Sequence, residues 1–322
     1  MSVEEEPLNR LYLSRYIFTL HALEDIRLPK YKGATLRGLL GYGLRKVMCI
    51  FRNSQCEQCS LRLRCIYSMF MESPLPEDHP FKNKYRKAPH PYIIIPPLTR
   101  KDRNITKGES FSFEIVLIGK ANDHLPYIIY SISNMGKHGL GIKRGKYKLL
   151  LVESKGIDGE KRVVYSSDDG IIRCENHEIN FEKYLKSDLN CTKICFIFET
   201  PLRIKHNGRL IKSVPFKVLI QRLAERAFLL SHFYCGSDMV DFESFSRGAE
   251  AVRTVDEDVR WIDWGRYSTR QKTDMKLGGI VGKITYSGDL KRFIPLLKIG
   301  EYIHVGKATT FGLGKYKMKL IE

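Results

Sequence analysis

Residues 304–318 read HVGKATTFGLGKYKM, a glycine-rich stretch that leads into the last alternating segment of the chain. Gly306, Gly312 and Gly314 stand among lysines, and the stretch contains no acidic residue. Glycine permits positive φ angles and close approach of the backbone to a ligand, and the N–H groups of such a loop can bind phosphate. The following KYKMKLI alternates polar and apolar residues like a β-strand. The stretch therefore predicts a basic glycine loop before the final strand.

The same arrangement occurs once earlier in the chain. Residues 136–151 read GKHGLGIKRGKYKLLL, and both stretches contain Gly-Lys-Tyr-Lys followed by further strand-like residues, at 145–148 and 314–317. Because each copy closes one half of the chain, we interpret the repeat as an internal duplication. The sequence therefore predicts two related domains in tandem, residues 1–188 and 189–322.

The composition indicates a polyanionic partner. The chain has 322 residues, of which 43% are hydrophobic, so two domain cores are possible. It carries 54 Lys and Arg against 36 Asp and Glu, a net charge of +18. Such an excess favours nucleic acid before membrane as the partner. The alternative is a basic protein with no charge-related function.

The first residues, MSVEEEPLNR, are acidic and contain no apolar run, so we expect no signal peptide. Apolar runs elsewhere are far too short to span a bilayer. We therefore expect a cytoplasmic protein without a membrane partner, whose cysteines stay reduced.

Each half reads as strand, helix, strands, helix, glycine loop and strand. This order predicts an α+β protein built of two tandem ferredoxin-like (βαββαβ) domains, the unit that also underlies the RNA-recognition modules. The first helix is predicted over residues 33–48, where leucines recur at helical spacing. Gly38, Gly41 and Gly43 inside it each weaken the helix by about 1 kcal/mol relative to alanine. We therefore expect another backbone, from protein or nucleic acid, to pack closely there.

A cysteine-rich insertion follows this helix. Cys49, Cys56, Cys59 and Cys65 include a C-x-x-C pair, and four thiolates this close in sequence can surround one tetrahedral zinc ion. An iron–sulfur cluster also uses four thiolates, and spacing alone does not separate the two, although zinc is favoured. The alternative is a set of small apolar core residues. We expect a structural metal site, distant from any catalytic group.

Taken together, the chain resembles the CRISPR repeat-RNA-processing endoribonucleases of the RAMP superfamily. The resemblance rests first on the glycine loop with Gly306, Gly312 and Gly314, which we expect to contact RNA. Supporting stretches are FETPLRI (198–204), RYSTRQK (266–272) and LPKYKGATLRGLLG (28–41).

The resemblance implies cleavage of CRISPR precursor transcripts within each repeat, with no metal or other cofactor in catalysis. The ribose 2′-OH attacks the adjacent phosphate and gives a 2′,3′-cyclic phosphate. This chemistry requires a general base, a general acid and a cation near the phosphate. The partners implied are CRISPR repeat RNA and other CRISPR effector subunits. The alternative is a non-cleaving CRISPR RNA-binding subunit of an effector complex.

The sequence departs from the family pattern because the helix at 33–48 contains no histidine. We therefore assign the catalytic role to His304, beside the glycine loop, with Lys307 as the cation and His21 as a further candidate. His138 and His232 remain as additional candidates. The predicted RNA contacts besides the loop glycines are Lys315, Arg37, Arg45, Arg266 and Arg270, for which the alternative is a solvated basic surface.

Overall fold

The structure of the protein is a computed structural model that describes most of the chain. The described residues are 6–51, 55–99, 103–173, 175–186, 191–238, 241–263, 265–268 and 273–321. For residues 265–268 and 273–276 only the backbone is described.

The chain divides into two compact units. The N-terminal unit comprises residues 12–179 and 233–235, and the C-terminal unit comprises residues 1–11, 180–232 and 236–322. The domain boundary predicted between residues 188 and 189 lies outside the described residues.

The described residues form both α-helices and β-strands. The α-helices are α1 (Glu6–Arg10), α2 (Gly33–Met48), α3 (Ile66–Met71), α4 (Leu125–Met135), α5 (Glu182–Leu185), α6 (Phe216–Cys235) and α7 (Ile294–Ile303). The strands are β1 (Tyr12–Ala22), β2 (Ile26–Arg27), β3 (Tyr92–Ile95), β4 (Asn104–Ile105), β5 (Ser110–Ile118), β6 (Tyr147–Lys155), β7 (Lys161–Ser166), β8 (Ile179–Asn180), β9 (Lys193–Leu202), β10 (Lys205–His206), β11 (Arg209–Leu210), β12 (Arg253–Ile262), β13 (Gly265–Ser268), β14 (Thr273–Lys276), β15 (Gly279–Ser287) and β16 (Tyr316–Ile321).

The N-terminal unit is built on an antiparallel sheet with the strand order β3-β5-β1-β6-β7. Along the chain, β1, α2, β3, β5, α4 and β6 form a βαββαβ unit, with β1 and β5 at the centre of the sheet. Phe18 of β1 lies opposite Phe113 of β5, and their rings stack with centroids 5.5 Å apart. Every second residue of β1 from Tyr16 to Ala22 joins the same core as the buried leucines of α2.

Helix α2 shows how the sequence directs the packing. Its leucines at helical spacing are buried, and truncating a buried leucine of this kind to alanine costs about 2–5 kcal/mol. The close approach predicted from its glycines has a protein partner at Gly43, where an added Cβ would lie 3.0 Å from Ser131 O of α4. At Gly41 the neighbour is the Met71 side chain, and at Gly38 the added Cβ would meet no atom within 4 Å.

The C-terminal unit repeats this topology. Its main sheet has the strand order β12-β15-β9-β16, and β9, α6, β12, β15, α7 and β16 follow one another as βαββαβ. Phe196 of β9 lies at the centre of the core, with its ring centroid 5.1 Å from that of Tyr316 and 5.6 Å from that of Tyr286. The predicted fold class, α+β with two tandem ferredoxin-like units, is confirmed. That the cysteine-rich insertion of the N-terminal unit binds a metal is a separate prediction.

Candidate nucleic-acid interface

Two glycine-rich loops occupy the same topological position in the two units. The first loop, residues 136–146, joins α4 to β6, and the second loop, residues 304–315, joins α7 to β16. Each loop therefore connects the second helix of a ferredoxin-like unit to its last strand, as the repeated Gly-Lys-Tyr-Lys predicts.

Three hydrogen bonds recur at equivalent positions of the two loops. One closes the loop on itself, one ties it to the segment after the unit's first strand, and one joins the tyrosine of the last strand to the second helix. In the first loop they run from Leu140 N–H to Gly145 O (2.9 Å), from Ile142 N–H to Arg27 O (2.8 Å) and from the Tyr147 hydroxyl to Ile132 O (2.6 Å). In the second loop they run from Val305 N–H to Gly314 O (3.1 Å), from Lys307 N–H to Arg203 O (2.8 Å) and from the Tyr316 hydroxyl to Leu297 O (2.6 Å).

The second loop contains an additional segment. Between the equivalent anchor residues, the first loop has only residues 143–144, whereas the second has residues 308–313. Thr200 of β9 holds the C-terminal end of this segment, because its Oγ1 donates to Gly312 O at 2.8 Å and accepts from Lys315 N–H at 2.9 Å. Gly314 N–H also donates to Pro201 O at 3.0 Å. The additional segment is therefore tethered along the end of β9.

The glycines of the second loop are required by the backbone. Gly306, Gly312 and Gly314 have φ angles of 86°, 83° and 71°, values that side-chain-bearing residues rarely adopt. An added Cβ would lie 2.5 Å from Arg203 O at Gly306 and 1.9 Å from Val305 O at Gly314. The structure thus gives these glycines a conformational role, and their contact with RNA stays a prediction.

The lysines of the second loop differ in their surroundings. Lys307 is exposed. Lys315 instead pairs with Glu199 of β9 at 2.7 Å, and Lys317 reaches the other carboxylate oxygen of Glu199 at 2.9 Å. Burial acts to raise the pKa of Glu199, but the hydrogen bonds and charges of the two lysines outweigh it and hold that pKa below its usual value. Lys315, predicted to contact RNA, therefore has an anionic partner within the protein.

His304 is completely buried, with an exposed fraction of 0%. Its Nδ1 lies 3.2 Å from Leu313 O, so this nitrogen must carry the proton that the carbonyl accepts. The residue has φ 57° and ψ 167°, a backbone region that is almost exclusive to glycine and costs about 1–3 kcal/mol for other residues. The sequence-based interpretation placed this imidazole against a bound phosphate, but a buried ring does not present itself to RNA. No local sequence pattern indicates this burial.

Three further predicted site residues, His21, Arg37 and Arg45, lie in the N-terminal unit. His21 of β1 is partly exposed, and its Nδ1 lies 3.2 Å from the Ser110 hydroxyl. Arg37 hydrogen-bonds the buried Tyr92, whose pKa is raised by burial while the charge of Arg37 opposes the rise. Arg45 is exposed, with its guanidinium 5.9 Å from the ring centre of Tyr67. Arg37 therefore has a structural partner inside the unit, and Arg45 remains at the surface.

Two predicted RNA contacts lie in the connection between β12 and β15. Arg270 lies outside the described residues. Arg266 pairs through its backbone with Met275, in the hairpin of β13 and β14, and its side chain lies outside the description.

A histidine and a lysine are in contact at α2, the helix whose own sequence contains no histidine. His138 of the first loop makes a hydrogen bond through Nε2 with Nζ of Lys46, near the end of α2. The helix that lacks a histidine in sequence thus has one beside it in space. A 92-residue separation hides this contact from any local pattern.

The four cysteines of the insertion occupy turns and helix ends. Cys49 caps the end of α2, Cys56 and Cys59 flank a single 3-10 turn, and Cys65 precedes α3. Burial raises the pKa of the Cys56 thiol, and the charge of Glu72 adds to the rise. Among the described residues, no three or more histidine, cysteine or acidic side chains are grouped to hold a metal ion. The zinc or iron–sulfur site on these cysteines therefore stays a prediction.

Within the part of the chain that the structure describes, each helix is either too short or too polar to traverse a lipid bilayer.

Comparison with known proteins agrees with this division of the chain. Residues 196–316 match the family model of the CRISPR-associated endoribonuclease Cas6, a range that includes the whole second loop. A protein of Archaeoglobus fulgidus described as uncharacterized is 24% identical over 318 residues, which cover 96% of each chain.

Solved structures share the fold at low sequence identity. Thermus thermophilus Cas6 is 13% identical with a TM-score of 0.54, and the alignment covers 96% of this chain and 99% of that one. The structure of the same protein in a product complex is 14% identical with a TM-score of 0.59, and the alignment covers 95% of this chain and 100% of that one. A chain of a partial Cas6-RT-Cas1–Cas2 complex is 15% identical with a TM-score of 0.60. The alignment covers 97% of this chain but only 46% of that one, so this chain spans about half the length of that relative.

The N-terminal part of the chain matches a family model of its own. Residues 11–177, just over half of the chain, match the family AF_1859_N, described as an N-terminal domain. Because this match covers just over half of the chain, the chain belongs to the AF_1859_N family, and its residues 196–316 are similar to the CRISPR-associated endoribonuclease Cas6.

Proposed function

We propose that this chain is a metal-independent endoribonuclease that cleaves CRISPR precursor transcripts within their repeats. The observation that carries the proposal is the match of residues 196–316 to the Cas6 endoribonuclease family. The net charge of +18 supports RNA as the partner. Because a related fold occurs in a Cas6-RT-Cas1–Cas2 complex, we also propose other CRISPR proteins as partners, in the cytoplasm.

The proposed reaction is attack of a ribose 2′-OH on its own 3′-phosphate. The products are a 2′,3′-cyclic phosphate and a 5′-OH, so DNA, which lacks the attacking hydroxyl, is not cut. Lys307 is the proposed cation for the charge that develops on the phosphate, because it is exposed at the entry of the second loop. Gly306 and Gly314 shape the loop around it, and Lys315 contributes when RNA competes with Glu199.

The acid and base of the reaction must come within hydrogen-bond reach of the ribose and the leaving oxygen. His21 is a proposed participant because it is partly exposed and flanked by Ser110. His138 is a second one, because it lies beside α2 in hydrogen-bond contact with Lys46. His304 is not assigned direct proton transfer, because its ring is buried.

The proposal is tested with end-labelled CRISPR repeat RNA in the presence of EDTA. We expect a product with a 2′,3′-cyclic phosphate, and no product from RNA with a 2′-deoxy nucleotide at the cleavage position. Replacing the general base lowers the rate by about 10²- to 10⁴-fold. We expect this for His21→Ala or His138→Ala, whereas His206→Ala, an exposed histidine of β10, is the matched control. Absence of product with intact binding contradicts the proposed activity.

A second candidate function is a non-cleaving CRISPR RNA-binding subunit of an effector complex. It is favoured by the absence of histidine from α2 and by the buried ring of His304. The same assay separates the two functions, because a gel shift without cyclic-phosphate product indicates a binder only.

A further inference from the structure

His304 and Gly139 occupy the same position in the two glycine loops. Each residue directly precedes the one whose N–H closes its loop, Val305 and Leu140 respectively. Their backbones agree as well, with φ 57° and ψ 167° at His304 and φ 77° and ψ 167° at Gly139. One unit therefore has glycine in a glycine conformation, and the other has a histidine there.

The conformation alone gives no reason for a histidine. Glycine adopts these angles without strain, as the first loop shows, whereas a residue with a Cβ adopts them only when its surroundings impose them. A side chain at this position must therefore contribute something that the first loop does not need.

The side chain reaches the segment that distinguishes the second loop. Nδ1 of His304 lies 3.2 Å from Leu313 O, the last residue of the additional segment 308–313, and both residues have an exposed fraction of 0%. Thr200 holds the adjacent carbonyl of Gly312 from the strand side. Two neighbouring carbonyls of the additional segment are thus held by two side chains from different elements. The first loop, with only residues 143–144 in this place, has no such segment to hold.

We propose that His304 is a positioning residue that fixes the additional segment of the second loop in the shape that receives RNA. It contacts neither the ribose nor the phosphate, and it acts through Leu313 and the loop. The part of this inference that concerns RNA rests on the proposed function, whereas the ordering of the loop does not.

The test uses two variants of the full chain. His304→Gly installs the residue of the first loop, and His304→Phe keeps a buried ring but removes the donor to Leu313. His206→Ala is the exposed control. Hydrogen–deuterium exchange of residues 305–315 reports loop order, repeat-RNA affinity reports the binding shape, and the single-turnover rate at saturating protein reports chemistry.

Loss of one hydrogen bond changes an equilibrium roughly three- to tenfold. We expect both variants to exchange faster in residues 305–315 and to bind repeat RNA more weakly by about this factor. We also expect the saturating rate and the shape of its pH profile to be retained. Because the phenylalanine variant keeps a buried ring, it still tests whether the donor to Leu313 orders the loop if the glycine variant unfolds.

Three results overturn the inference. One is unchanged exchange in residues 305–315, and another is faster exchange with unchanged RNA affinity. The third is a saturating rate lowered by about 10²-fold or more with a lost limb of the pH profile, which identifies His304 as an acid or base. If the unmodified protein neither binds nor cuts repeat RNA, the proposed function fails, and the exchange measurement still decides whether His304 orders the loop.

Discussion

The two glycine loops share their anchors but differ in what lies between them. The first loop passes from Ile142 to Gly145 through exposed Lys143 and Arg144, whereas the second inserts residues 308–313, which contain no charge. If positive charge alone decided RNA binding, the first loop would be the better candidate. We propose that shape distinguishes the second loop, because its additional segment is held by hydrogen bonds from Thr200 and His304.

The loops also differ in where backbone strain is accepted. The first loop uses Gly139 where the second uses His304, and both residues have the same ψ of 167°. Proteins retain such strain where surrounding contacts and function require it. The following experiments test the equivalence of the loops and the difference between them.

The largest effect on stability is expected from Gly314→Ala. Positive φ costs alanine about 1–2 kcal/mol, and the overlap of the new Cβ with Val305 O adds about 1–3 kcal/mol. Gly314 has φ 71° and would place Cβ 1.9 Å from that oxygen. Gly208→Ala, at φ 78° in open space, is the control for the first term. We expect chemical denaturation to show the larger loss of unfolding free energy for Gly314→Ala, and equal losses would contradict the tight closure of the loop.

A smaller and symmetric effect is expected from Tyr147→Phe and Tyr316→Phe. Each change removes a buried hydroxyl that donates to a helix carbonyl, and loss of one such hydrogen bond costs about 0.5–1.5 kcal/mol. Because burial raises the pKa of both tyrosines far above the usual value, the hydroxyls stay protonated at neutral pH. Tyr42→Phe, on an exposed side chain, is the control. Clearly unequal losses for the two buried tyrosines would argue against equivalent loops.

The stabilising contribution of Glu199 should depend on pH. Its pKa is lowered in the folded state, so the contribution is present above the pKa of the unfolded chain and is lost as pH falls through the folded value. We expect Glu199→Gln to lower the unfolding free energy at neutral pH and to approach the unmodified protein in acid, well below the usual glutamate pKa of about 4.3. If the unfolding free energies of the variant and the unmodified protein differ by the same amount at every pH, the ion pairs of Glu199 are not the cause of the difference.

The smallest effects are expected in the salt dependence of RNA binding. Losing one phosphate contact lowers the slope of log affinity against log salt by about one unit. We expect this change for Lys307→Ala, and a smaller one for Lys315→Ala because Glu199 already neutralises that lysine. Glu199→Gln should make the slope steeper by releasing Lys315 and Lys317. Equal slopes for the two lysine variants would show that the ion pair opens fully on binding.

Local patterns predicted the fold well. The leucine spacing of residues 33–48 gave the helix that the structure contains, because one buried face determines where a helix of this length lies. The repeated Gly-Lys-Tyr-Lys identified equivalent loops, because a tyrosine at the start of the last strand bonds the preceding helix in both units.

The site was less predictable, because its contacts are long-range. Thr200 holds Gly312 across 112 residues, and Lys46 meets His138 across 92. Local sequence periodicity does not predict such long-range pairs. It also does not show that His304, which lies next to a glycine loop in sequence, is buried in the folded loop. For the cysteines, the spacing in sequence determined neither how the thiols are arranged in space nor which metal they would bind.

The most direct test of the central claim exchanges one loop for the other. Replacing residues 308–313 by Lys-Arg, the sequence of residues 143–144 of the first loop, together with His304→Gly preserves the shared anchors and Lys307 and removes only the additional segment and His304. The account predicts a folded protein whose affinity for repeat RNA falls by roughly tenfold or more. Unchanged affinity and cleavage by the folded chimera would contradict it.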